Sequence, residues 1–178
     1  MNSICLNMIV KNEAHVIKDT LDNLWKYIKF SYYVISDTGS TDDTKQIIRD
    51  FFKGKGVNGM IYDDVWKDFG FNRSLALKYA HECGRAKYAF IFDADDRIYG
   101  NLTLPVNMHS DSYYLKFGKG VTYKRVLLVN ITLQWKFVGV LHEYISCINK
   151  GSTSCELIDG EYFIDSGKSG ARSKDPDK

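Results

Sequence analysis

Three aspartates within four residues, Asp93, Asp95 and Asp96, directly follow the apolar run Tyr88-Ala-Phe-Ile-Phe92. Carboxylates crowded together raise one another's pKa unless a cation offsets their charge, and oxygen ligands suit hard ions such as Mg2+ or Mn2+. An ion held by Asp95 would relieve that repulsion. The plainer alternative is a solvated turn in which Asp95 and Asp96 cap the next element. A second cluster, Asp37-Thr-Gly-Ser-Thr-Asp-Asp43, ends the run Tyr32-Tyr-Val-Ile-Ser36. Ser40 or Thr41 reads as the cap of a helix beginning near Asp42. Asp37 stands ahead of that cap, placed to accept hydrogen bonds from a base edge or a ribose. In Val138–Tyr144, His142 and Glu143 are adjacent, and a neutral imidazole there would complete a metal shell begun by Asp95. His15, His81 and His109 have no such company and read as structural.

These residues need elements to position them. Ile4–Val10 is apolar and β-branched enough for a buried strand, and the helix after it aligns Ile17, Leu21, Leu24 and Ile28 on one stripe. Tyr32–Ser36 predicts a second strand. The next helix buries Ile47, Ile48, Phe51 and Phe52 and is closed by glycines. Gly59–Val65 is a short third strand, Phe71–Gly84 a third helix and Tyr88–Asp93 a fourth strand. This alternation predicts an α/β fold with a doubly wound, mostly parallel sheet and helices on both faces. Ligands of such sheets bind beyond the carboxyl ends of the strands, which is where Asp37 and Asp93–Asp96 fall. After Asp96 the rhythm changes. Ser112–Gly118, Thr122–Asn130, Glu143–Ile148 and Cys155–Asp165 read as strands without comparable helices, predicting a mixed or antiparallel C-terminal half. The expected organisation is one domain over residues 1–165, with one half to about 98 and a second over about 99–165, and a polar tail from 166 to 178.

The chain's 178 residues suffice for a single core. Its 24 basic and 22 acidic residues leave a net charge of +2, too small a bias to propose nucleic acid as the main partner. No apolar run approaches the length of a membrane span. Cys5, Cys83, Cys147 and Cys155 form no zinc pattern and read as buried, reduced thiols. The N-terminus reads as a first strand rather than a signal peptide, giving a cytoplasmic location as the expectation. Sequons at Asn72, Asn101 and Asn130 are read as chance. Gly54-Lys-Gly-Val-Asn-Gly59 satisfies G-x-G-x-x-G, yet it follows a helix and precedes a strand, the reverse of a dinucleotide fingerprint.

Five ordered blocks, NMIVKNEAHVIKDTLDNL, VISDTGSTDDT, DFGFNRSLALKYA, FIFDADD and WKFVGVLHEYI, together resemble the family 2 glycosyltransferases of the GT-A fold, especially the soluble bacterial and viral type. The resemblance covers about Ser3 to Ile145. It implies that Val10, Asn12, Glu13 and Asp37 hold the uracil and ribose of a nucleotide, and that Arg73 meets the diphosphate region. It further implies that Asp93 and Asp95 contact the ribose and a Mn2+ or Mg2+ ion, with His142 completing the ion's coordination. Where family members commonly carry asparagine after that arginine, this chain has Ser74. The closing residues from Gly170 resemble the start of a connection to further helices.

The implied reaction is transfer of a sugar from a nucleoside diphosphate sugar, most simply a UDP-sugar, to an acceptor hydroxyl on a glycan, protein or small molecule. Inversion requires a carboxylate base opposite the leaving group; Glu143 is nominated, with Asp96 second. The rival readings are a nucleotide-sugar-binding module without turnover and a Mg2+-dependent phosphohydrolase using Asp93 as nucleophile.

Overall fold

Strand β1 (Ile4–Val10) is apolar at almost every position because helices cover both of its faces. Ile4, Leu6, Met8 and Val10 face helices α1 (Ile17–Tyr27) and α2 (Thr44–Gly54), which contribute Ile17, Leu21, Leu24, Ile48 and Phe52 to one core. On the opposite face Cys5 meets Leu77 and Ala80 of α3 (Phe69–Cys83) in a second, smaller core. The structure, a computed structural model, describes residues 3–120, 122–139 and 143–167.

Strands β2 (Tyr32–Asp37), β3 (Gly59–Asp63) and β4 (Tyr88–Ile91) join β1 in parallel, in the order β3-β2-β1-β4. The same sheet continues through β7 (Tyr123–Asn130), β6 (Ser112–Phe117), β11 (Tyr162–Asp165) and β5 (Arg97–Gly100), with β10 (Cys155–Leu157) beside β6. The β4–β7, β7–β6 and β11–β5 pairings are antiparallel. The expected parallel half and mixed half are thus both present, within one continuous sheet.

Two expectations are corrected, and two features were not anticipated. Arg97–Gly100 and Trp135–Val138 are strands β5 and β8, although each is too short to carry a period of its own. Cys155–Asp165 breaks into β10 and β11 at a turn around Asp159 and Gly160. β9 (Tyr144–Cys147) leaves the main sheet to pair with β8 as a hairpin packed on α3. Of the thiols only Cys5 is buried; Cys83 and Cys147 are half-buried and Cys155 is exposed, and all four are free.

Two buried asparagines tie α3 in place. Asn7, polar in an otherwise apolar strand, donates from Nδ2 to the carbonyls of Val34 and Ala76. Asn72 accepts from the Lys67 N–H and donates to the Val65 carbonyl, which pins the β3–α3 loop; a fully enclosed side chain cannot carry a glycan. The α2 face rests on Phe52, whose ring stacks on Tyr33 at 4.3 Å and meets Phe51 edge-on at 5.2 Å. Truncating a fully buried phenylalanine typically costs about 3–5 kcal/mol. Phe52→Ala is expected to lose that much in urea unfolding, and a loss under about 1 kcal/mol would show that α2 is held otherwise.

Candidate active site

The carboxyl ends of β1, β2 and β4 carry three polar loops. The first two are stitched together. Thr38 donates from its N–H and Oγ1 to the carbonyl of Val10, and the N–H groups of Asn12, Glu13 and Ala14 donate to Ser40 Oγ, Thr44 Oγ1 and Asp42 Oδ2. Asn12 returns the bond by accepting from the Thr41 N–H at 2.8 Å, and it does so at φ 54°. A non-glycine residue in the left-handed region is uncommon and is best tolerated by asparagine. The expected capping role of Ser40 or Thr41 is therefore corrected: both hydroxyl residues face Asn12. Helix α2 begins at Thr44 behind Asp43, which makes no side-chain cap, and the turn is closed by Asp42 Oδ1 accepting from Thr44. The hydroxyl residues are spent on joining two loops, a use that local sequence does not display.

Asp37 ends β2 fully buried. Its Oδ1 accepts from the N–H groups of Gly39 and Ser40 at 2.9 and 2.7 Å, while Oδ2 is buried with no hydrogen-bond partner among the described residues. Buried carboxylate oxygens are normally hydrogen-bonded, so an unmatched one calls for a donor.

The third loop follows β4. Thr20 and Asn23 of α1 hold it from below, Thr20 Oγ1 donating to the Ala94 carbonyl at 2.6 Å and Asn23 exchanging two bonds with Ile98. Above it, Gly167 lies so close to the Asp95 backbone that a Cβ would come within 2.1 Å of the Asp95 carbonyl oxygen. Asp96 sits beneath that crossing, accepting from the Gly167 N–H. Burial, with repulsion from Asp93 and Asp95, pushes the Asp96 carboxyl up to about 7 against the opposing pull of Arg125.

Arg73 connects this loop to the β8–β9 hairpin. Asp68 caps α3 by accepting from the Phe71 N–H, which places Arg73 in the first turns with its guanidinium between two acids. Its two terminal nitrogens reach Glu143 Oε2 at 2.7 Å and both oxygens of Asp93 at 2.8 and 2.9 Å. Burial works against the Arg73 charge, but the two carboxylates more than offset it and hold its pKa above the ordinary value. Ser74, the departure from the common family pattern, also has a structural use. Its hydroxyl donates to the Gly70 carbonyl and accepts from the Phe137 N–H, fastening β8 to α3.

The structure therefore brings Arg73, Asp93, Asp95, Asp96 and Glu143 into one cluster, with Val10 and Asp37 at the ends of β1 and β2 and Asn12 and Glu13 in the loop after β1. His142 lies outside the described residues. Among the described residues no group of three His, Cys, Asp or Glu side chains is placed to hold a metal ion. Arg125 was not anticipated. On β7 its guanidinium approaches Asp93 Oδ2 at 3.8 Å, and the sequence around it, TYKRVLLVN, offers only an amphipathic strand with no motif.

The description glycosyl transferase family 2 fits residues 5–106, more than half of the 178. The chain belongs to that family. No curated protein matches the sequence. Among solved structures, this family 2 chain is similar to Staphylococcus aureus TarS 1–349 in complex with UDP, with 23% identity and a TM-score of 0.51 over 67% of this chain and 38% of that one. It is also similar to the mannosyltransferase PcManGT from Pyrobaculum calidifontis in complex with GDP-Man and Mn2+, with 21% identity and a TM-score of 0.44 over 54% of this chain and 28% of that one. At such identities the TarS likeness speaks for the GT-A fold. The chain spans less than two fifths of either structure's chain.

Removing one partner from a buried ion pair costs about 3–5 kcal/mol, because the remaining charge stays buried without its counterion. Arg73→Gln is expected to fall at the lower end, since Asp93 keeps 28% of its side chain exposed. In a double-mutant cycle with Glu143→Gln, coupling of about 1–3 kcal/mol is expected from urea unfolding. Additive losses would show that the pair seen at 2.7 Å does not hold the hairpin.

Proposed function

We propose that this chain binds a UDP-sugar at the carboxyl ends of β1, β2 and β4 and, with a divalent ion, transfers the sugar to an acceptor hydroxyl with inversion. The observation that carries the reading is the unmatched buried oxygen of Asp37 at a strand-end crevice, the place where open α/β sheets take ligands. A carboxylate there accepts an N–H or a hydroxyl, and both the uracil edge and the ribose present one. Asn12 and Glu13 then serve the nucleotide by shaping the loop beside Asp37, and Val10 by anchoring Thr38.

The donor set suits a hard ion. Mg2+ and Mn2+ commonly take one or two carboxylates and draw the rest of their shell from substrate phosphates and water, so three protein ligands are not required. Asp95 is the ligand in this reading. Asp93, whose two oxygens face Arg73, lies beside it, and His142 is assigned as the further ligand. When bound, the ion supplies charge stabilisation to the departing diphosphate. Glu143 is assigned the acceptor proton. Arg73 fixes its rotamer through Oε2, and Glu143 is more accessible than Asp96, which is 4% exposed. The phosphohydrolase reading is disfavoured because a nucleophilic Asp93 would have to leave a guanidinium that holds both of its oxygens.

Thermal-shift titration with UDP, with and without Mn2+, tests the binding half. Wild type is expected to gain stability from UDP, Asp37→Asn to lose at least tenfold in UDP affinity while folding normally, and Asp95→Ala to lose the Mn2+-dependent part. A flat wild-type response to uridine nucleotides would sink the reading. Turnover is tested separately. A proton acceptor contributes typically about 100- to 10,000-fold, so Glu143→Gln is expected to lower kcat by at least about 100-fold with UDP affinity nearly unchanged. UDP binding without any transfer or hydrolysis of UDP-sugars by wild type would leave a binding module.

A further inference from the structure

We infer that Arg125, rather than Arg73, is the residue that grips the diphosphate of the donor; this rests on the nucleotide-sugar reading. A pyrophosphate arriving beside Asp93, Asp95, Asp96 and Glu143 enters a field already dominated by negative charge. It needs cationic donors whose hydrogen-bonding capacity is not committed elsewhere. Arg73 does not qualify. Its terminal nitrogens make three bonds of 2.7–2.9 Å to two carboxylates, and its side chain is only 13% exposed. Turning it toward phosphate would strip Asp93 and Glu143 of their common counterion.

Arg125 is in the opposite situation. Its side chain is 35% exposed and makes no hydrogen bond among the described residues; the nearest carboxylate oxygen, Asp93 Oδ2, is 3.8 Å away. That distance feels the charge without consuming a donor. The guanidinium is nevertheless held, seated 4.9 Å from the centre of the Phe117 ring, which itself stacks on Tyr123. Its location follows from the sheet. β7 runs antiparallel to β4, pairing Leu128 with Phe90, so residues earlier in β7 pass the carboxyl end of β4 where the aspartates lie. A planar, weakly hydrated and positioned fork whose donors no described residue takes up is the arrangement that suits bidentate phosphate recognition. Arg125 lies beyond residues 5–106, the part of the chain that matches the family, so this assignment belongs to the chain's own second half.

The test compares uridine with UDP, each in saturating Mg2+, by isothermal titration calorimetry on the full chain. The ratio of their affinities isolates what the diphosphate contributes. Arg125→Gln is expected to reduce that ratio at least tenfold while leaving uridine affinity unchanged, and Arg125→Lys to fall between, having the charge but not the fork. A residue that merely balanced Asp93 and Asp96 would lower the melting temperature and leave the ratio intact. An unchanged ratio in folded Arg125→Gln overturns this assignment and leaves the nucleotide-sugar reading standing. Failure of wild type to bind either compound overturns both. If Arg125→Gln does not fold, Arg125→Lys decides, since a wild-type ratio in it excludes bidentate grip.

Discussion

The guanidinium of Arg73, buried between Asp93 and Glu143, joins parts of the chain that are 20 and 70 residues away from it in sequence. Without a cation between them, the two carboxylates would repel one another. The bridging cation turns that repulsion into two attractions and fixes three elements at once: the first turns of α3, the end of β4 and the loop before β9. With Ser74 bonded to Phe137 on the same stretch of helix, it also determines where the β8–β9 hairpin sits over the strand ends. Other acids of the site are positioned relative to this bridge.

The rest of the cluster is balanced less completely. Asp96 lies buried near Asp93 and Asp95 with Arg125 as the opposing charge, and its carboxyl is pushed up to about 7 in consequence. On the other side, the stitched loops after β1 and β2 form a rigid rim around Asp37. Their hydroxyl and amide groups are used in holding that rim, and among the described residues Asp37 Oδ2 has no hydrogen-bond partner. One loop pair is tied together by hydrogen bonds, while the acids of the other are left with their charge incompletely balanced.

The alternation of strands and helices was legible because both faces of the parallel strands are covered, which makes β1, β2 and β4 continuous apolar runs, and because α1 and α2 each bury one stripe. β5 and β8 were not legible: four-residue strands gain their identity from the partners they pair with, Tyr162–Asp165 and Tyr144–Cys147, rather than from a period of their own. The strand-end positions of Asp37 and Asp93–Asp96 were legible, since acids that directly follow apolar runs fall at the carboxyl ends of such strands. The purpose of Ser40, Thr41 and Ser74 was not, because their bonds cross to residues far along the chain. Arg125 was invisible for the same reason.

By itself the sequence determined the two-faced α/β core, the order of its parallel strands along the chain, and the polar loops that close them, since periodicity and strand-end position are local properties. Only the tertiary structure decided which charges meet. It paired Arg73 with Asp93 and Glu143, drew Gly167 across Asp95 and, among the described residues, left the Arg125 side chain without a hydrogen bond and one buried oxygen of Asp37 without a partner. Electrostatic energy depends on distance and burial, and neither can be read from spacing along a chain that folds back on itself.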